Sequence, residues 1–190
     1  MKNYVEKIGP MILLLTAGFT KVCTPRSGGI KTIWLANRTE IATGGFTLVG
    51  SEYTAVTMEA TKVFYKFEFD QDTAEFRPVV TSENNSTLVT TEVEFFQSKL
   101  STLMRDALQE MADASICGMV AIVEDNNLNK WVVGYSENHK SKIDEEGRPL
   151  KVSELSGGSG KLFTDLNGST NTLVATNNEL PRIFTGTVPV

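Results

Sequence analysis

The sequence predicts a mainly β protein: a two-sheet β-sandwich with one α-helix packed on its flank at about residues 101–115. Three observations carry that expectation. Several segments rich in Val, Thr, Tyr and Phe alternate in side-chain character with the two-residue period of a strand. Only the stretch after Ser101 shows a clear helical spacing of apolar residues. Clusters of Asn, Asp, Gly and Ser separate these segments, as turns require.

The elements follow in chain order. Residues 1–28 read as an N-terminal arm and 29–190 as a single sandwich domain. The start has lysines at 2 and 7, an apolar run from Met11 to Leu15, then small residues and Cys23. That outlines a bacterial secretion signal, but the run is short, follows Gly9-Pro10, and has Val22 rather than a small residue before Cys23. The preferred reading is an N-terminal arm whose apolar part packs on something. "GIKTIWLAN" (29–37) is the first strand. "EYTAVTMEATKVFYKFEFD" (52–70) is a long one with Val63, Tyr65, Phe67 and Phe69 on one face. "STLVTTEVEFF" (86–96) is another. Leu103, Met104, Ala107, Leu108 and Met111 line one side of the helix, with Ser101 as N-cap and "DASICG" as its end. "ICGMVAIVED" (116–125) and "KWVVGYS" (130–136) flank "DNNLN" as a hairpin. "GKLFTDLNG" and "STNTLVATN" form a last pair of strands. A loop is expected over 137–161, and its charged part, His139 to Lys151, reads as exposed.

Composition excludes several function classes. The chain of 190 residues carries a formal net charge of −5, whereas a protein that grips nucleic acid by its backbone needs a basic face. Its two cysteines, Cys23 and Cys117, form no CxxC and read as buried or half-buried free thiols. "LSGGSGKL" (155–162) resembles a phosphate-binding loop, but leucines occupy both the first glycine position and the position whose Ser or Thr would hold magnesium. The single histidine, His139, has no neighbour in sequence to orient it as a base. The carboxylates close in sequence lie in turns, where Asp serves backbone hydrogen bonding. No enzyme activity, cofactor, metal or small-molecule substrate is expected, and no segment is long enough to span a membrane as a helix.

Four stretches together resemble the major tail, or tail tube, proteins of tailed bacteriophages: "LTAGFTKVCTPRSGGIKTIWLAN" (15–37), "FYKFEFDQDTAEFRPVVTSENNSTLVTTEVEFF" (64–96), "MVAIVEDNNLNKWVVGY" (119–135) and "SGGSGKLFTDLNGSTNTLVAT" (156–176). The resemblance spans most of the chain. It implies a structural virion protein whose subunits form rings, usually hexameric, with inner sheets joined into a barrel around a channel for DNA. Rings stack, and loops or N-terminal arms bridge them. The implied partners are the chain itself, other virion tail or neck proteins, and DNA in transient, non-specific passage. The implied location is the virion tail, assembled in the host cytoplasm. Met11, Ile12, Leu13, Leu14, Leu15 and Phe19 then become a candidate assembly arm. His139, Lys140, Lys142, Asp144, Glu145, Glu146 and Arg148 form a candidate inter-subunit loop, and the glycines of "SGGSGK" belong to a structural loop. Alternatives are a neck or tail-completion protein, and a secreted β-sandwich binding module at a bacterial cell surface. Against the last, Trp34 and Trp131 sit at strand positions that suit packing better than a carbohydrate platform.

Overall fold

The computed structural model describes residues 26–84, 86–141, 145–162 and 164–190. Eleven strands and one α-helix are found among them: β1 (Ile30–Asn37), β2 (Ile41–Val49), β3 (Glu52–Met58), β4 (Tyr65–Phe67), β5 (Glu75–Glu83), β6 (Ser86–Ser98), α1 (Thr102–Cys117), β7 (Met119–Asp125), β8 (Lys130–Val133), β9 (Lys151–Gly158), β10 (Gly168–Asn177) and β11 (Arg182–Ile183). A five-stranded sheet runs in the order β11-β8-β7-β1-β4, a four-stranded sheet β5-β6-β10-β9, and β2 and β3 make a hairpin. All pairings within the sheets are antiparallel. The mainly β, sandwich-like fold with one helix is the expected one.

Burial explains the layering. On one face of the five-stranded sheet, Ile33, Leu35, Ala121 and Val123 meet Val93, Phe95 and Leu173 of the four-stranded sheet and Met111 of α1. On the other face, Ala36, Val120, Ile122 and Val132 meet Ile41, Phe46 and Tyr53 of the β2–β3 hairpin, with Phe184 and Val188 near the C-terminus. The middle sheet is therefore covered on both sides. That is why β1 and β7 are apolar at consecutive positions instead of strictly alternating. Phe46, Tyr53 and Tyr135 pack as tilted or edge-on rings with centroids 4.6–5.7 Å apart, a favoured aromatic geometry.

The helix begins where expected: the Ser101 hydroxyl accepts from the Met104 N–H at 3.2 Å. It continues to Cys117 and stops at Gly118, whose φ of 87° is closed to most side chains. A Cβ there would also lie 2.2 Å from Pro149. Residues 116 and 117 thus extend the helix rather than starting β7, and Cys117 is exposed at its end, not buried.

Four further expectations are corrected. The long strand over 52–70 is two, because Thr61 takes a positive φ of 66° in a turn between them. Phe64 is buried and Tyr65 exposed. The loop expected over 137–161 ends early, since β9 occupies 151–158 and pairs with β10. "GKLFTDLNG" is turn and loop rather than strand, although "STNTLVATN" does form β10. Finally β2, β5 and β11 are strands where none was expected.

Candidate assembly surfaces

The four-stranded sheet has two open edges. Among the described residues, strand β5 pairs only with β6, and β9 only with β10. Near its start β9 is partly covered, as the Ser115 hydroxyl of α1 accepts from the Val152 N–H at 2.8 Å. Strand β5 has no such cover and is exposed from Arg77 to Glu83. Pro78 removes one N–H from this edge, a common way of blunting it, yet Val79 and Val80 remain exposed beside it.

Beyond Val89 the β5–β6 hairpin loses its third strand, because β10 pairs with β6 only as far as Asn177↔Val89. The pairs Thr81↔Leu88, Ser82↔Thr87 and Glu83↔Ser86 stand alone. Val80 on one face and Val79 and Leu88 on the other are open to solvent. A free two-stranded ribbon is marginal in water, so the tip gains most from resting on another surface.

The face of this sheet that points away from the core carries an acidic row. Glu154 pairs with Thr172, Thr172 with Glu94, and Glu94 with Glu75, so one line across four strands reads Glu-Thr-Glu-Glu. The next row reads Lys151-Val174-Glu92-Arg77, with an ion pair between Glu92 and Arg77. Like charges directly opposite one another cost stability, so Glu75 facing Glu94 serves the surface rather than the fold.

The segment after β8 is more anchored than a free loop. Glu137–His139 form a 3-10 turn, with the Ser136 hydroxyl accepting from the Asn138 N–H. The buried Arg38 donates to the Lys140 carbonyl at 2.9 Å and lies 5.1 Å from the Tyr135 ring centre. The Lys140 ammonium donates to Glu137 at 2.8 Å. Glu145 and Glu146 belong to a second 3-10 turn, Glu145–Gly147, and Arg148 has a positive φ of 55°. Leu150 exchanges two backbone hydrogen bonds with Met119. His139, Lys140, Glu146 and Arg148 are thus held on one short stretch between fixed ends, whereas Lys142 and Asp144 lie outside the described residues.

Beneath this stretch sits a polar cluster that the sequence did not reveal. Glu179 accepts from the Ser136 hydroxyl at 2.5 Å, the Glu137 N–H at 2.7 Å, and Arg182 at 2.7 and 3.2 Å. Burial pushes its carboxyl up, but these hydrogen bonds outweigh burial and hold it below the usual range. Burial raises the Tyr53 phenol far above its ordinary value, and the neighbouring Glu137 and Glu179 carboxylates raise it further.

The contact residues of the arm, Met11, Ile12, Leu13, Leu14, Leu15 and Phe19, lie outside the described residues. The chain enters the fold at the β7–β8 turn, where Ser27 exchanges two hydrogen bonds with Asn127 at 3.0 and 2.8 Å. Asp125 organises that turn by accepting from the N–H groups of Asn127 and Asn129 and from Trp131. Trp131 stacks on Phe76 at 5.7 Å, and Trp34 packs against the second core, so both are strand residues.

The glycine-rich stretch divides in two. Ser156, Gly157 and Gly158 pair with β10, and Leu155 packs on the core. Beyond them the N–H groups of Lys161 and Leu162 donate to the chain's own Asp165 at 2.7 and 2.8 Å. Gly160 takes a φ of 71°, and a Cβ there would come within 2.3 Å of Asp165. The loop closes on its own carboxylate, which fills the position an anion would take.

A groove of about 600 Å³ opens between α1 and the β1–β4 edge, lined by Leu35, Phe67, Leu103, Met104, Ala107 and Met111 among others. Among the described residues, no group of His, Cys, Asp and Glu is arranged to hold a metal ion, and no helix is long and apolar enough to cross a membrane. The chain matches no family model, no curated protein and no solved structure.

Proposed function

We propose that the protein is a non-enzymatic structural subunit that assembles with copies of itself into rings that stack into a tube, as in the tail of a bacteriophage. The observation that carries this reading is the four-stranded sheet. It has an open edge on each side and an acidic row on its outer face. Joining β5 of one copy to the exposed part of β9 in the next satisfies both edges and closes the sheets into a barrel. The outer faces then line the lumen, and each subunit contributes its Glu75, Glu94 and Glu154 to a continuous acidic belt. Such a belt repels phosphate, so DNA passes without adhering. The projecting β5–β6 tip rests on the neighbouring subunit or ring, which covers Val79, Val80 and Leu88.

The test is a double variant, Val80→Asp with Leu88→Asp, compared with the unaltered protein. Both side chains are exposed, so the fold and thermal unfolding should be preserved while ring or tube formation is lost. A variant that assembles as well as the original would contradict the reading.

A further inference from the structure

We propose that the joint between copies has one defined register, with Arg77 of β5 facing Glu154 of β9 in the next copy; the inference rests on the ring reading and names the pair that selects the partner edge. Direction comes first. Strands β5, β6, β10 and β9 alternate in direction, so β5 and β9 run opposite ways. A copy related by rotation about a ring axis therefore brings its β5 antiparallel to this β9, the pairing used throughout the sheet.

Access limits where the two edges can meet. The pairing of β9 with β10 passes from Thr172↔Glu154 to Leu173↔Val152, so Ser153 is left out as a bulge. Bulges end regular pairing, and the adjoining Val152 N–H already donates to the Ser115 hydroxyl. The straight, uncovered edge of β9 is therefore residues 154–158. On β5, Pro78 has no N–H to give, and beyond it lies the free tip, so residues 75–77 are the stretch that pairs without a gap.

Charge then separates the registers. Level rows would set Glu75 against Glu154 and Arg77 against Lys151, like against like twice. They would also put Phe76 against the covered Val152. Moving β5 one row toward the start of β9 sets Glu75 against Lys151 and runs the strand wholly onto the covered stretch. Moving it one row toward Gly158 sets Arg77 against Glu154 and Glu75 against Ser156, all on the open edge. On the core side this register places Phe76 beside Leu155, and each already packs against its own subunit's core. Arg77 holds Glu92 on its own sheet, and its planar guanidinium has donors for a second carboxylate. Ring symmetry keeps the acidic rows of all copies at one height, so the offset is taken up as strand tilt, the stagger that a closed barrel requires.

The experiment uses full-length protein carrying Cys23→Ser and Cys117→Ser. One variant adds Arg77→Cys with Glu154→Cys, and a second adds Glu75→Cys with Glu154→Cys. Both are oxidised with copper phenanthroline under assembly conditions and run on non-reducing gels. Within one chain each pair spans three strand spacings, at least about 14 Å, so a disulfide can form only between copies. Directly opposed residues lie within disulfide reach, whereas a diagonal pair one row off, at about 7–8 Å, does not. The expected result is a ladder of cross-linked chains from the first variant and single chains from the second. A ladder from the second variant alone keeps the ring and overturns this register. Rings or tubes on a negative-stain grid with no ladder from either variant also overturn it while keeping assembly. Neither ladders nor assembly removes both readings. A charge swap gives an independent check: Arg77→Glu should raise the concentration needed for assembly at least about tenfold, and adding Glu154→Arg should lower it again. A double variant that assembles no better than the single one contradicts the pairing.

Discussion

Glu179 shows how a single carboxylate ties the C-terminal segment to the turn after β8. Its pKa is depressed below the ordinary 4.5, first against the upward push of burial and then by hydrogen bonds from Ser136, Arg182 and the Glu137 N–H. A group whose folded pKa lies below its unfolded one stabilises the fold above the unfolded value, and that contribution is lost as pH falls through the folded value. Unfolding midpoints measured across this acid range should therefore drop for the unaltered protein. Glu179→Gln should start lower at neutral pH and decline less on acidification. Parallel curves for the two proteins would show that the cluster contributes no pH dependence. None of this was legible in the sequence, where Glu179 follows two asparagines and no motif marks it. Its partners at 136 and 137 are forty residues away, and only the β8–β11 pairing brings them together. The same holds for Arg38, which the sequence does not mark and the fold buries against Tyr135.

Elements with strong local signals were the readable ones. The helix declares itself through spacing and its Ser101 cap, and Ser101→Ala should lower the unfolding free energy by about 1 kcal/mol, checked by urea titration. The 119–133 hairpin was legible because Asp125 and its asparagines form the turn locally. Strands β2 and β5 were missed for opposite reasons. In β2, Gly44 and Gly45 interrupt the alternation, and the register with β3 shifts across them. In β5, Pro78 and the polar end Thr81-Ser82-Glu83 suppress the strand signal, and of its core-side residues only Phe76 packs inward, while Val80 stays exposed. The break at Thr61 was equally invisible, because Glu59-Ala60-Thr61-Lys62 contains no Gly, Pro, Asn or Asp to mark a turn, and only the core on the far side of the middle sheet demands Phe64. The acidic row appears only when register is known: Glu75, Glu94 and Glu154 are far apart in sequence. Replacing Glu94 with Thr should relieve the repulsion from Glu75 and raise the melting temperature of the unassembled subunit. An unchanged or lower value would mean that the two carboxylates do not oppose each other.

At the scale of the molecule, the fold class was legible and its third layer was not. The alternation in β6 announces a sheet with one face buried, but the doubly covered middle sheet depends on the β2–β3 hairpin, which sequence did not show. What the layers leave uncovered points outward: two sheet edges, a hairpin tip, an acidic face and an apolar groove. All of them lie at the periphery of a well-packed core, and together they are the surfaces that the proposed assembly would bury or enclose. The most direct test of that account is the assembly state of the purified full-length protein, by light scattering after size-exclusion chromatography with negative-stain images of the same fractions. The account predicts rings or tubes with a central hole. A monomer that stays monomeric at high concentration and shows no rings on the grid would contradict it.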